Sequence, residues 1–117
     1  MLAALALAAT PGVVRRAGRP QWSTRDAMPG QPVQLDLPAA LPAGARVRVI
    51  CTCPDGRVVQ VADRPARRPF RFAPWPPVLT WPEGRYRFVA TVLAADGRVL
   101  ARSPALHIDV VPFHFGC

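Results

Sequence analysis

The sequence predicts an all-β domain, and three observations support this prediction. Apolar residues alternate with polar ones over several short stretches, which is the period of a strand with one buried face. Two of these stretches are followed by the pairs Asp55–Gly56 and Asp96–Gly97, which favour tight hairpin turns. Fifteen prolines are scattered along the 117 residues, and each one removes a backbone donor and disfavours helix before it. The length suits a single domain with its own core.

The stretch 81–92 gives the strongest strand signal. Pro82 and Gly84 form a corner that interrupts any preceding regular structure. With a period of two, one face of the following strand then carries only residues suited to a core, while the other face is mixed. The predicted inward residues are Tyr86, Phe88, Ala90 and Val92, and the predicted outward residues are Arg85, Arg87, Val89 and Thr91.

The same plan occurs earlier in the chain. Pro42-Ala43-Gly44 precedes an alternating strand, and Asp55–Gly56 then turns the chain into a return strand through Val58 and Val59. The core-facing residues of this earlier strand are Val47, Val49, Cys51 and Cys53. Two related hairpins suit an arrangement of two facing sheets.

Shorter segments complete the set of predicted strands. They are centred on Val33, Leu35 and Leu37, on Phe70 and Phe72, on Val78 and Leu79, and on Leu106, Ile108 and Val110. The total is about seven or eight antiparallel strands, the number typical of a sandwich. The sequence therefore divides into an extended N-terminal arm at 1–30, a sandwich at 31–111 and a C-terminal tail at 112–117.

The corner Pro82-Glu83-Gly84-Arg85-Tyr86 resembles the late strands of immunoglobulin and fibronectin type III domains. The resemblance covers roughly 31–111 and concerns the fold. It implies that the hydroxyl of Tyr86 bonds to the backbone at the corner. The chain offers no well-placed cysteines for the disulfide of antibody-type domains, so the resemblance is limited to the sandwich architecture.

The net charge of +8 comes entirely from arginine, since the chain has no lysine. It also lacks asparagine, which indicates that a GC-rich coding bias contributes to the arginine excess. The arginines are spread along the chain, whereas a nucleic-acid site needs a contiguous basic face. We therefore expect a solvated or protein-facing basic surface.

Two predicted strands carry arginines on their outward faces. These are Arg46 and Arg48 on one strand, with Ile50 and Thr52, and Arg85 and Arg87 on the other, with Val89 and Thr91. If the strands are neighbours, they form a patch rimmed by arginine that would suit an acidic protein surface. The alternative is a solvated sheet face without a partner.

The segment 63–77 is rich in proline, arginine and aromatic residues, and we expect an extended connection between the sheets. Its candidate interface residues are Arg67, Arg68, Arg71 and Trp75. Arginine and tryptophan are enriched where interfaces carry most of their binding energy. Alternatively, Phe70, Phe72, Trp75 and Trp81 fill the gap between the sheets.

Both ends of the sequence are apolar. The run 2–9 contains Leu2, Leu5 and Leu7, and the tail contains Phe113 and Phe115. No positive side chain precedes the run, which disfavours a signal peptide, and eight residues are too few to span a bilayer. We expect both ends to pack against protein subunits of a larger assembly, with a homo-oligomer as one form of it. The alternative is that both ends fold back across their own sandwich.

Residues suited to chemistry are few. Cys51 and Cys53 point to one face of a strand, in poor geometry for a mutual disulfide, and we expect both in the core. Their spacing from His107, His114 and Cys117 matches no usual zinc pattern. Neither Ser23 nor Ser103 lies in a nucleophile motif. The expectation is a protein without catalytic, metal or cofactor sites.

These features resemble small decoration, cement or tail-associated proteins of tailed bacteriophages, in which a sandwich module docks on repeated subunits. The resemblance implies a structural accessory protein of the virion. Two alternatives stay open. One is a secreted or cell-envelope module similar to the immunoglobulin-like part of flagellar hook-capping proteins, and the other is a carbohydrate-binding sandwich that stacks sugars on Trp75 and Trp81.

Overall fold

A computed structural model describes residues 19–77 and 83–111. In these ranges the chain forms nine strands and no helix. The strands are β1 (Gln21–Trp22), β2 (Asp26–Ala27), β3 (Val33–Asp36), β4 (Arg46–Thr52), β5 (Val58–Pro65), β6 (Phe70–Phe72), β7 (Gly84–Leu93), β8 (Val99–Arg102) and β9 (Leu106–Val110). The predicted strand at 78–79 lies outside the described residues.

The strands form two sheets. The smaller sheet has the order β1-β3-β6, and the larger has the order β2-β9-β7-β4-β5, with β8 also paired to β7. The two sheets together form a β-sandwich. The predicted all-β sandwich is confirmed. One pair, β2 with β9, is parallel, although only antiparallel pairs were predicted.

Two strands were not predicted at all. β1 and β2 have only two residues each, too few to show an alternating pattern. β1 pairs with β3, and β2 pairs with β9, so both join the sheets from within 19–30. β5 is also longer than expected. Asp63, Arg64 and Pro65 pair with β4 as its last residues, instead of beginning the connection to β6. Pro65 is tolerated because β5 is an edge strand.

The two related hairpins lie in the same sheet, so their assignment to facing sheets was wrong. β4 and β7 are direct antiparallel neighbours over seven residue pairs, from Arg46 opposite Leu93 to Thr52 opposite Arg87. Their return strands, β5 and β8, flank them on opposite sides. The turn signals and alternation of a hairpin specify its local geometry, but they carry no information about which sheet it joins.

The core between the sheets contains the predicted inward residues. Tyr86, Phe88, Ala90 and Val92 of β7 are fully buried. Phe88 meets Phe72 of the smaller sheet edge to face, with ring centroids 5.7 Å apart, an arrangement that aromatic pairs prefer. The remaining core residues include Val33, Leu35, Val47, Val49, Cys51, Cys53, Phe70, Leu106 and Ile108. Burial raises the pKa of Tyr86. The bond from its hydroxyl to the corner backbone stays a prediction.

A serine joins β8 to β9. Ser103 is buried, its amide donates to the carbonyl of Ala90 (2.8 Å), and its Oγ accepts from the Ala90 amide (2.9 Å). The same hydroxyl donates to the carbonyl of Pro104 (2.7 Å). Since the ladder is interrupted here, the side chain supplies the acceptor that the Ala90 amide would otherwise lack.

Cys51 and Cys53 are buried, free thiols, as predicted for core residues. Burial, together with the neighbouring Cys53, raises the pKa of Cys51 to about 12. Because the thiolate is the reactive form of cysteine, the high pKa of Cys51 makes this thiol unreactive in the folded protein. Burial also shields both thiols from reagents.

We expect neither thiol to react with Ellman's reagent in folded protein of the variant Cys117→Ser, where these are the remaining cysteines, at about pH 8. After unfolding in guanidinium chloride, both should react. The measurement is the amount of thionitrobenzoate released before and after denaturation. Rapid release from the folded protein would contradict the burial of this pair.

A glycine turn supports Trp75, which lies on the surface and is 51% exposed. Gly30 has a φ of +79°, and its amide donates to the carbonyl of Pro74 (2.6 Å). A Cβ at this position would lie within 3 Å of the ring atoms Cζ2, Cε2 and Cη2 of Trp75. The indole therefore packs directly against the backbone of the turn.

Gly30→Ala should destabilise the fold by more than Gly97→Ala, the matched control. Gly97 has a φ of +91° with open space around it, so its replacement carries only the backbone cost of about 1 kcal/mol. At Gly30 the contact with Trp75 should add about another 1 kcal/mol or more. Urea unfolding measures both values. In a Trp75→Ala background the two substitutions should cost the same, and a persistent difference would mean that Trp75 is not the obstacle.

Candidate protein-binding surface

The outer face is the side of the larger sheet that points away from the smaller sheet. β4 and β7 place their outward residues side by side, with Arg48 opposite Thr91, Ile50 opposite Val89 and Thr52 opposite Arg87. The two strands that carry outward arginines are therefore neighbours, as the predicted patch rimmed by arginine requires. Their outward residues form one continuous surface.

Two of the predicted interface arginines pair with one carboxylate of β5. Nε of Arg46 lies 2.7 Å from one carboxylate oxygen of Asp63, and Nη2 of Arg48 lies 3.2 Å from the other. The hydrogen bond from Arg46, reinforced by Arg48, lowers the pKa of Asp63. These two side chains are thus held by an internal partner, and one carboxylate serves both guanidinium groups.

Arg85 is neutralised in the same way at the other end of the sheet. Its Nε and Nη2 donate to the two carboxylate oxygens of Asp109 (2.9 and 3.2 Å), and Asp26 lies 3.9 Å from Nη2. The bidentate pair lowers the pKa of Asp109 and raises that of Arg85. Arg85 lies opposite Asp109 in the β7–β9 register, so the strand pairing itself brings these charges together.

Arg87 and Arg102 differ from these three arginines. Both are exposed, and within 19–77 and 83–111 neither has a carboxylate within salt-bridge distance. They border one depression of about 400 Å³, which we call the outer depression. It is lined by Ile50, Thr52, Arg87, Val89, Thr91, Arg102 and Ser103.

The floor of the outer depression is apolar. Ile50 and Val89 are directly opposite in the β4–β7 register, and both are half-buried. Thr52 and Thr91, also half-buried, stand on either side of this pair along the strands. The arrangement combines an aliphatic floor, hydroxyl groups at its edges and two guanidinium groups without internal carboxylate partners.

Sequence reasoning did not single out Arg102. It lies on β8 opposite Thr91, and its place beside β7 follows from the return strand after Asp96–Gly97. The hairpin signal was recognised. The register that aligns Arg102 with the outward residues of β7 includes an irregularity between Val92 and Leu93, and the sequence pattern does not show it.

The other arginines chosen from the sequence lie elsewhere. Nη2 of Arg68 donates to the carbonyls of Leu37 and Pro38, so this side chain ties two loops together. Arg71 is exposed on β6 of the smaller sheet, and its carbonyl accepts from Arg64 (2.7 Å). Arg67 is exposed in the loop between β5 and β6. None of the three joins the outer depression.

Trp75 borders a separate groove on the edge of the sandwich. The groove, about 340 Å³ in volume, runs between β5 and the segment after β6, and Val59, Val61, Phe72 and Pro77 contribute to its walls. Phe70 and Phe72 are buried in the core, as predicted if the aromatic residues of 63–77 fill the gap between the sheets. Trp75, in contrast, is largely exposed. Trp81 lies outside the described residues.

Several predicted residues cannot be placed on this surface because they fall outside the described ranges. They are Leu2, Leu5, Leu7, Phe113 and Phe115, together with His114 and Cys117. Their roles stay predictions.

Within the described chain, no three His, Cys, Asp or Glu side chains lie close enough to hold a metal ion. His107 is half-buried on the outer side of β9, while Cys51 and Cys53 point into the core, so the sheet separates them. No helix long and apolar enough to cross a membrane occurs in the same residues.

Comparison with known proteins yields no relative. No protein-family model, curated protein or solved structure matches this chain.

Asp63→Asn should weaken the loss of stability at acid pH. Because Arg46 and Arg48 lower the pKa of Asp63 in the folded protein, its ionised form stabilises the fold above the ordinary value of 3.8. That contribution is lost as the pH falls through the lowered folded value. The urea midpoint of the variant should therefore change less than that of the wild type between about pH 5 and about pH 2.

Asp36→Asn is the control, because it removes a carboxylate whose described hydrogen-bond donor is the Gln34 amide rather than an arginine. An equal flattening of the pH profile in both variants would show that the pair of arginines is not responsible. The double variant Arg46→Gln with Arg48→Gln should reproduce the Asp63→Asn profile.

Proposed function

We propose that this protein is a non-enzymatic accessory protein that docks on other protein subunits through its outer face. The assembly we favour is a bacteriophage virion, with the protein as a capsid decoration, cement or tail-associated component. The observation that supports docking is the outer depression, where two exposed arginines border a half-buried apolar floor and have no carboxylate partner among the described residues.

The contrast among the arginines of one sheet is informative. Arg46, Arg48 and Arg85 each pair with a carboxylate inside the domain. Arg87 and Arg102 keep their charge beside Ile50 and Val89. Arginine next to exposed apolar surface is typical of interface centres, where its planar group pairs with carboxylates of the partner.

The sheet is suited to presenting such a surface. β7 is paired on both sides, with β4 on one side and with β8 and β9 on the other, so its outward residues are held in fixed positions. Recognition sites on strands are positioned more accurately than sites on loops. In the proposed assembly, the apolar run at 2–9 and the tail at 112–117 would bridge to neighbouring subunits, which the leucines and phenylalanines of their sequences favour.

A carbohydrate-binding module is the second candidate, and one observation favours it. Trp75 is 51% exposed and packs against the Gly30 turn, beside the groove between β5 and the segment after β6. A supported, exposed indole is the kind of platform on which sugar rings stack. Such a module, or one resembling the hook-capping proteins, would be located in the cell envelope or outside the cell.

The double variant Arg87→Glu with Arg102→Glu should lose its association with large particles in the native source. Charge reversal places two carboxylates where the partner's acidic groups bind, so we expect about tenfold or greater loss of co-sedimenting protein. The single variants Arg87→Glu and Arg102→Glu are each compared with the matched control Arg98→Glu, which reverses one exposed charge in the β7–β8 turn. Sucrose-gradient sedimentation with quantitative blotting measures the bound fraction.

The proposal would be wrong if the wild-type protein is absent from every large particle of its source. Binding to a glycan array that is lost on Trp75→Ala, with no particle association, would favour the carbohydrate module instead.

A further inference from the structure

We propose that the outer depression binds an extended segment of a partner protein in which one aliphatic side chain is flanked, two residues away on each side, by a carboxylate. This inference rests on the proposed docking function and specifies the chemistry of its partner. The aliphatic side chain contacts Ile50 and Val89, and the two carboxylates pair with Arg87 and Arg102.

The spacing follows from the strand register. Arg87 and Thr91 are four residues apart on β7, and Arg102 lies opposite Thr91. At about 3.4 Å per residue, Arg87 and Arg102 are therefore separated by about 13 Å along the strand direction. Val89, with Ile50 opposite it, lies midway. The two charges and the apolar floor thus have a fixed order and nearly equal intervals.

An extended peptide has the same intervals. Its side chains at positions i−2, i and i+2 point to one side and span about 13 Å. A segment lying along β7 therefore places an acidic side chain near each arginine when its central residue is over the floor. Thr52 and Thr91 line the depression beside the floor, and their hydroxyls supply donors or acceptors to the backbone of the segment.

The charges around the depression favour an acidic ligand. Arg46 and Arg48 share Asp63, and Arg85 pairs with Asp109, so the nearby carboxylates are already engaged. His107 lies opposite Arg87 in the β7–β9 register and adds no negative charge. No acidic residue lines the depression itself.

A nucleic acid fits these features less well. Single strands bind through aromatic platforms and a continuous basic track, whereas the depression contains two arginines and no aromatic residue. Its aliphatic floor would contact a phosphate backbone unfavourably, because burying charge against apolar groups carries a desolvation cost.

Fluorescence anisotropy with the full-length protein tests the inference. The probe is a labelled peptide Ser-Glu-Ser-Leu-Ser-Glu-Ser. Three comparison peptides replace both Glu by Gln, replace Leu by Ser, or place the two Glu next to Leu. Each should bind at least about fivefold more weakly. The first lacks the two charges and the second lacks the aliphatic side chain. In the third, the Glu side chains point to the opposite side of an extended chain from Leu.

On the protein, Arg87→Gln and Arg102→Gln should each weaken binding about fivefold or more, while Arg98→Gln should change it less than about twofold. Each substitution removes one positive charge, so equal losses would indicate diffuse electrostatic attraction and overturn the inference. The inference is also wrong if the probe peptide does not bind, or if the peptide with adjacent Glu binds as tightly as the probe. It is equally wrong if oligothymidine binds more tightly than the probe and this binding depends on Arg87.

The outcomes separate this inference from the proposed function. If the charge-reversal variant loses particle association but the peptide does not bind, docking stands and the acidic segment is wrong. If the peptide binds as expected but particle association is unaffected, the site exists and the proposed docking function is wrong.

Discussion

The inward register of β7 is the constraint on which the rest of the structure depends. This central strand buries Tyr86, Phe88, Ala90 and Val92 completely, and a shift by one residue would exchange its two faces. Such a shift would place arginine side chains in the core at a prohibitive desolvation cost. Core packing therefore fixes which residues of β7 face outward, and the positions of Arg87 and Val89 follow from it.

The topology then decides which outward charges are satisfied internally. β5 brings Asp63 beside Arg46 and Arg48, and β9 brings Asp109 beside Arg85. At Arg87 the neighbours of β7 are β4 and β9, and neither places a carboxylate opposite this arginine. Its partners in the register are Thr52 on β4 and His107 on β9. Among the described residues, the same strand order that completes the sandwich thus divides the arginines into those paired with a carboxylate and those without one. The docking surface that we propose follows from this division.

The sequence predicted what alternation and turn chemistry specify. The strand character of β4 and β7, their inward residues and the exposed position of Arg87 could all be derived from a period of two. The two-residue strands β1 and β2 could not, because they are too short to show a pattern. Nor could the placement of both hairpins in one sheet, the pairing of Asp63 with two arginines or the position of Arg102. The placement of the hairpins depends on contacts between segments distant in sequence. The positions of Asp63 and Arg102 depend on hairpin registers with irregularities between Val49 and Ile50 and between Val92 and Leu93, which local patterns do not show.

The interruption at Ser103 gives the two sides of the outer depression unequal compliance. Arg87 lies on β7 at a point where β4 and β9 pair with it on either side, and β9 is itself backed by β2. Arg102 lies on β8, which pairs only with β7 among the described strands. Between β8 and β9 the pairing along this side of β7 is interrupted, and the hydrogen bonds of Ser103 to Ala90 take its place. Segments with fewer packing and hydrogen-bonding neighbours open at lower free energy. We therefore expect the Arg102 side of the depression to move more easily than the Arg87 side.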